Sequence, residues 1–186
     1  MLLWIVLAVV AAAVVYAIVA FNSLVRTRQM ANEAWSGIDV QLKRRSDLVP
    51  NLVDSVKGYA AHERSVLDEV TQLRGAARAL PADDVASRAQ AEGALSAALG
   101  KLMAIAENYP DLKASGNFLD LQHQLSDLEN ELQMARRYYN GAVRNLNTLV
   151  QSFPSNVIAH AFGFAQRDFF ELSDAAERAA PKVSLA

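Results

Sequence analysis

Leu2 to Phe21 reads LLWIVLAVVAAAVVYAIVAF, twenty residues without a charge or a strongly polar group. A helix of that length spans about 30 Å, the thickness of a bilayer's hydrocarbon core. Its β-branched residues would weaken a helix in water, but in lipid the backbone has to satisfy its own hydrogen bonds, so the helix prevails. Trp4 stands near one end, where an interfacial aromatic belongs. The expectation is a transmembrane anchor over 1–21 and a soluble domain over 22–186. A cleaved signal peptide is the competing reading. It would want a positive leading region and a shorter apolar stretch. No Lys or Arg precedes Arg26, although Ala17 and Ala20 could mimic a cleavage site. A core helix of a soluble protein is seldom apolar on every side for this long. Arg26 and Arg28 flank the run on its C-terminal side and no basic side chain flanks the other. The positive-inside rule then places the N-terminus outside and the domain in the cytoplasm, with the membrane crossed once.

The rest of the chain is patterned for helices. From Phe118, apolar or aromatic residues recur at Leu121, Leu125, Leu128, Leu132, Ala135, Tyr139, Ala142, Leu146, Leu149 and Phe153, in alternating steps of three and four. That is a coiled-coil-like heptad seam, and Asp127, Glu129, Glu131, Arg136, Arg137 and Arg144 read as its solvated face. Ser115 and Asn117 are capping candidates at its start, and Pro154 stops it after Phe153. A second seam runs from Leu24 through Ala31, Trp35, Ile38, Leu42, Val49, Leu52, Val56 and Tyr59 to Val66, Val70 and Leu73. Its phase crosses Pro50 unbroken, so one kinked helix is expected there, although Pro50 removes a backbone donor and crowds the Ser46 carbonyl. Three seam positions are charged: Arg28, Arg45 and Glu63. They either sit at the seam's edge, where a straight helix drifts out of strict heptad phase, or are buried and paired across helices, fixing register. An alanine-rich helix is expected over 82–107, opened by Pro81, and a short helix and turn within Val157 to Phe170. The tail beyond Ala180 has no pattern. Short connections near 74–81 and 108–116 make neighbours antiparallel. The fold class expected is all-α: a transmembrane helix continuing into an antiparallel up-and-down bundle of long helices.

Chemistry is hard to find in these residues. Eighteen basic against twenty acidic side chains give a formal charge of −2, which lacks the positive field that nucleic-acid binding needs. The absence of cysteine excludes disulfides, thiol catalysis and cysteine-ligated zinc. The three histidines, His62, His123 and His160, do not cluster. Asp120 and His123 make one Asp-x-x-His, where a di-iron bundle needs two Glu-x-x-His pairs. There is no HExxH, no G-x-S-x-G and no glycine-rich phosphate loop. Lys43, Arg44 and Arg45 form a basic run, read either as an anion or headgroup patch or as two surface charges beside an arginine whose stem snorkels. No catalytic, cofactor-binding or metal-ligating residue, no cofactor and no small-molecule substrate is expected.

Three blocks carry a resemblance to a known family: AWSGIDVQLKRRSDLVPNLVDSVKGYAAHE from Ala34 to Glu63, NYPDLKASGNF from Asn108 to Phe118, and ARRYYNGAVRNLNTLVQSFPSN from Ala135 to Asn156 followed by FGF at Phe162 to Phe164. In these the chain resembles the LemA family of bacterial membrane proteins. It departs from the family pattern at Gly116, where a charged residue is usual, and at Phe21-Asn22, where Tyr-Asn is common. The resemblance implies an N-terminal membrane helix and an antiparallel helical bundle, and supplies no substrate or reaction. Two functions are expected to compete: a non-enzymatic membrane-anchored scaffold that binds partner proteins or itself as an oligomer, and a self-assembling protein that organises or remodels the membrane.

Overall fold

A computed structural model of the chain describes residues 1–60 and 62–171. The unpatterned tail beyond Ala180 lies outside them. The described residues form helices α1 (Leu2–Lys57), α2 (Arg64–Ala79), α3 (Val85–Ala106), α4 (Pro110–Lys113), α5 (Gly116–Gln151) and α6 (Ser155–Ala161), with no strand among them. The chain falls into two compact units. One comprises Met1–Ile38 with Gln133–Phe169, the other Asp39–Leu132 with Phe170 and Glu171.

The second unit is an up-and-down bundle of α1 beyond Asp39, α2, α3 and α5 up to Leu132, with the short α4 between α3 and α5. Its core takes Val49, Leu52 and Val56 of α1, Val70 of α2 and Phe118 of α5 from the two seams, and adds Leu95, Leu99 and Leu102 of α3 and Leu112 of the short α4. Ion pairs tie its helices together at the margin of this core. Lys101 of α3 meets Glu69 of α2 at 3.0 Å, and Arg88 of α3 meets Asp39 of α1 at 2.7 Å. Leu128, expected inside, is only half-buried and packs against the margin of this core.

Helix α1 passes through Pro50 without a break, as the unbroken seam predicts. Proline cannot donate to the carbonyl of Ser46 four residues earlier. Arg74 of α2 does so instead, its Nε donating to that oxygen at 2.6 Å. The interior proline is therefore tolerated partly because a neighbouring helix supplies the missing donor.

The expected continuation of this helix to Leu73 is overturned. Helix α1 ends at Lys57, where the amides of Tyr59 and Ala60 both donate to the Val56 carbonyl, and Gly58 to Glu63 connect it to α2. Lys57 followed by Gly58 is a stop signal that the uninterrupted apolar phase masked: a cation in the last turn and a residue with little helix propensity after it. Tyr59 is exposed as a result, and what read as one helix is an antiparallel pair. The alanine-rich helix also starts later than Pro81 indicated. Asp84 is its cap, with a side-chain oxygen accepting from the Ser87 amide at 3.0 Å. Helix α5 starts beside Ser115, whose carbonyl accepts from the Leu119 amide at 3.1 Å.

In the first unit, α5 runs antiparallel to α1. Trp35 of α1 lies 5.3 Å from the ring of Tyr139, and Leu24, eleven residues earlier, shares a cluster with Leu146 and Leu149. Helix α6 completes this cluster with Ile158 and Ala159. It stops at Gly163, whose φ of +70° suits glycine, with the Phe164 amide donating to the Ala159 carbonyl at 2.9 Å in a Schellman-type stop. Phe153, the last position of the long seam, is 83% exposed. Its heptad phase is right, but the helix has ended at Gln151 and no partner helix faces it within its own unit.

Two stability outcomes follow. Leu132 is buried, so Leu132→Ala should cost about 2–5 kcal/mol in a urea melt of the full chain in mild detergent. If Arg74 substitutes for the donor that Pro50 lacks, Arg74→Ala should destabilise the native protein more than it destabilises a Pro50→Ala background, where the Ser46 carbonyl regains its helical donor. Equal losses in the two backgrounds would separate the two features.

Candidate functional site

The most unusual polar group in the structure is Arg45, with 1% of its surface exposed. Its neighbours in the basic run, Lys43 and Arg44, point to water. The heptad phase of α1 turns position 45 inward, between α3 and α5. There Arg45 NH2 donates to a Glu92 carboxylate oxygen and, at 3.2 Å, to the Glu92 carbonyl. NH1 donates to Ser96 Oγ and to Glu129 Oε1, both at 2.6 Å. Glu92 is buried with it, while the Glu129 side chain keeps 37% exposure. Burial by itself would lower the affinity of the guanidinium for its proton. The two carboxylates outweigh it and raise the pKa above the ordinary arginine value.

This arrangement corrects two expectations and decides a third. Arg45 does not snorkel, because its charged head is enclosed. Glu129 does not stand idle on a solvated face, because it is one of the two carboxylates that compensate the arginine's charge. Of the three charged seam positions, only Arg45 is buried and paired across helices. Arg28 is exposed, its guanidinium carbon 4.9 Å above the Phe164 ring, and Glu63 sits half-buried in the turn before α2. The partners of Arg45 were not legible in one dimension. Glu92 stands in an alanine-rich stretch and Glu129 among five acidic and polar neighbours, so nothing in their spacing singles them out.

The remaining polar candidates stay apart. His62, His123 and His160 are each exposed, as is Asp120. Among the described residues, no group of three or more metal-ligating side chains converges. Arg44 lines an open groove of about 440 Å³ that also holds Asp47, Asp127 and Gln124. With both signs of charge in its walls, it does not form the anion patch that the basic run alone indicated. A second depression of about 570 Å³ is equally mixed, with Lys57 and Arg64 facing Asp54 and Asp68.

The first unit contains a different polar device, also missed from the sequence. The segment after α6 returns along α5 in irregular conformation, so its backbone needs partners outside regular structure. Asn147 provides two: its Nδ2 donates to the Arg167 carbonyl, and its Oδ1 accepts from the Arg167 amide, both at 2.9 Å. Tyr139 Oη donates to the Asp168 carbonyl at 3.0 Å. Burial raises the phenol's pKa, and the Arg167 charge partly opposes that shift. Tyr138 beside it is exposed, off the heptad seam that carries Tyr139 inward.

The other outstanding surface is the start of α1. Residues 1–19 are exposed almost throughout, including Trp4, Ile5, Val9, Val15 and Ile18. This is the one helix among the described residues long and apolar enough to cross a membrane. An all-helical fold led by such a segment, with the enclosed Arg45 cluster committed to helix packing, defines the chain as a membrane-associated helical protein.

The LemA family model matches residues 34–185, and the chain belongs to that family. It is 28% identical to Protein LemA of Metamycoplasma hominis over 82% of this chain and 69% of that protein. It is 25% identical to Magnetosome protein MamQ of Magnetospirillum gryphiswaldense, over 81% of this chain, and to Magnetosome protein MamQ 2 of Paramagnetospirillum magneticum over the same share. The match covers 64% of the length of each of these magnetosome proteins.

A double substitution tests the role of Arg45. Glu92→Leu alone should cost about 3–5 kcal/mol, because it strips a buried charge of its buried partner. Arg45→Met with Glu92→Leu should recover most of that loss, since an apolar pair avoids desolvating either ion. Glu129→Ala should cost about 1–3 kcal/mol rather than being neutral. A urea melt in which the double variant is no more stable than Glu92→Leu would show that the arginine contributes more than charge pairing.

Proposed function

We propose that this protein is a non-enzymatic, membrane-anchored scaffold, fixed in the bacterial cytoplasmic membrane by Leu2 to Phe21 with its helical units on the cytoplasmic side. The observation that carries the reading is the continuity of α1. One uninterrupted helix supplies an exposed apolar segment of bilayer length and then core residues for both units, with no flexible linker after the span. Tilting or clustering of the span is thereby coupled to the helical units, and confinement to a surface raises the effective concentration of neighbouring copies. The buried charge supports the same reading, since Arg45 and its carboxylates are committed to holding helices together. Arg26 and Arg28 against an uncharged leading end support the orientation. The units act by association, with partner proteins or with further copies of the chain.

A second reading, a self-assembling protein that organises or remodels the membrane, is supported by the similarity to the magnetosome proteins. Crosslinking in intact membranes followed by mass spectrometry discriminates. A defined heterologous partner favours the scaffold, and contacts between copies favour self-assembly. Capture of neither, with monomeric migration in blue-native electrophoresis, would sink both. Digestion of the helical units by protease added outside right-side-out vesicles would reverse the orientation.

A further inference from the structure

Apolar side chains are exposed in the first unit beyond the leading segment of α1. Phe153, Val157 and Phe162 are 83%, 58% and 62% exposed, and all three belong to the corner where α5 turns into α6 and α6 ends. Their position is what gives them meaning. The Phe162 ring lies edge-on to Phe21 at 4.9 Å, and Phe21 is the last residue of the uncharged run. Leu149, Val150 and Ile158 pack into the cluster of Phe21 and Leu24. Continuing the antiparallel register of α1 and α5, Phe153 comes level with the end of the apolar run. The corner therefore stands where α1 would leave the hydrocarbon, not at the distal end of the unit.

The charges around it are of one sign. There is no Asp or Glu from Met1 to Asn32, nor from Gln133 to Arg167. The same two stretches hold Arg26, Arg28, Arg144 and Arg167 on the side of the corner, with Arg136 and Arg137 farther along α5 beside Tyr138. The chain as a whole is slightly acidic, so this is a local feature. Arg26 and Arg28 are exposed five and seven residues beyond Phe21, about 8–10 Å along the helix axis, within reach of the headgroup layer for a long side chain that snorkels.

We propose that the α5–α6 corner is a second membrane contact: Phe153, Val157 and Phe162 enter the interface of the leaflet from which α1 emerges, and the surrounding arginines meet anionic headgroups. This rests on the reading of Leu2 to Phe21 as a bilayer span. It adds that α1 is not the only part of the chain in lipid. Aromatic and aliphatic side chains rimmed by arginine are the chemistry of interfacial insertion, and a lipid surface is the occupant that both the span and the absence of carboxylates indicate. A short α6 wedged beside the span would also restrict rotation and tilt of α1 relative to the membrane plane.

The chain has no cysteine, so single cysteines can be introduced without background. Full-length protein carrying Phe153→Cys, Val157→Cys or Phe162→Cys, each at an exposed site, would be labelled with an environment-sensitive fluorophore. It would then be reconstituted in phosphatidylcholine–phosphatidylglycerol vesicles, with far-UV dichroism confirming the fold. Val10→Cys reports the span. Tyr138→Cys, exposed beside Tyr139 about 20 Å farther along the unit, reports the aqueous side. The expected result is loss of fluorescence with shallow spin-labelled lipid at the three corner positions, deeper quenching at Val10, and none at Tyr138. Corner labels that respond only to aqueous iodide while Val10 is quenched by lipid would overturn the corner contact and leave the span intact. Corner cysteines shielded from lipid that form disulfides between copies would overturn it in favour of a second chain as occupant. A Val10 label that lipid does not quench would overturn the span and the corner contact together.

Discussion

The unbroken backbone of α1 is the constraint on which the other features depend. From Leu2 to Lys57 every turn has to be helical, although the helix leads with side chains that water would reject and later carries an interior proline. The two demands are met differently. Over the first twenty residues the ladder of internal hydrogen bonds is complete, which is what the proposed span would need in lipid, where no alternative donors or acceptors compete. At Pro50 the ladder itself is incomplete, and a side chain from another helix closes the gap at Ser46. Helix continuity in this protein is thus a tertiary property at Pro50, where its own ladder is incomplete.

The enclosed arginine shows what such a bundle gives up in stability for definition. Leucine seams on helices rich in alanine pack acceptably in several registers, since one small apolar residue resembles another. A guanidinium does not. It has to meet Glu92, Ser96 and Glu129 at once, and a shift of α3 or α5 by one residue would strand it. Taking these charges out of water opposes folding, and hydrophobic replacements of similar volume would pack at less cost. The cluster therefore makes sense as a device that selects one arrangement of three helices.

In the first unit the logic is reversed: apolar groups that a soluble bundle would hide are left outside. Phe164 is buried, while Phe153 and Phe162 from the same aromatic-rich stretch are exposed. Asn147 and Tyr139 fasten the returning segment to α5, which in turn holds the end of α6 against Phe21. The polar clasp and the exposed rings are consequences of one chain path.

Much of this was written in one dimension. The uncharged run, the two seams and the helical class follow from residue type and spacing, because solvent partition and helical periodicity are local rules that act on every residue alike. Even the passage of α1 through Pro50 was legible, from the phase of the seam on either side. What sequence could not determine is which polar residues meet. Arg45 lay on a seam with Arg28 and Glu63, and only packing distinguished the one enclosed by two carboxylates from one at the edge over an aromatic ring and one in a turn. The same limit misplaced the end of α1, since the apolar phase resumes after Gly58 as though nothing intervened. It also made Phe153 look like core, because a heptad position specifies a direction around a helix and not whether another helix is there. Periodicity fixes which way a side chain points, and tertiary structure decides what it points at.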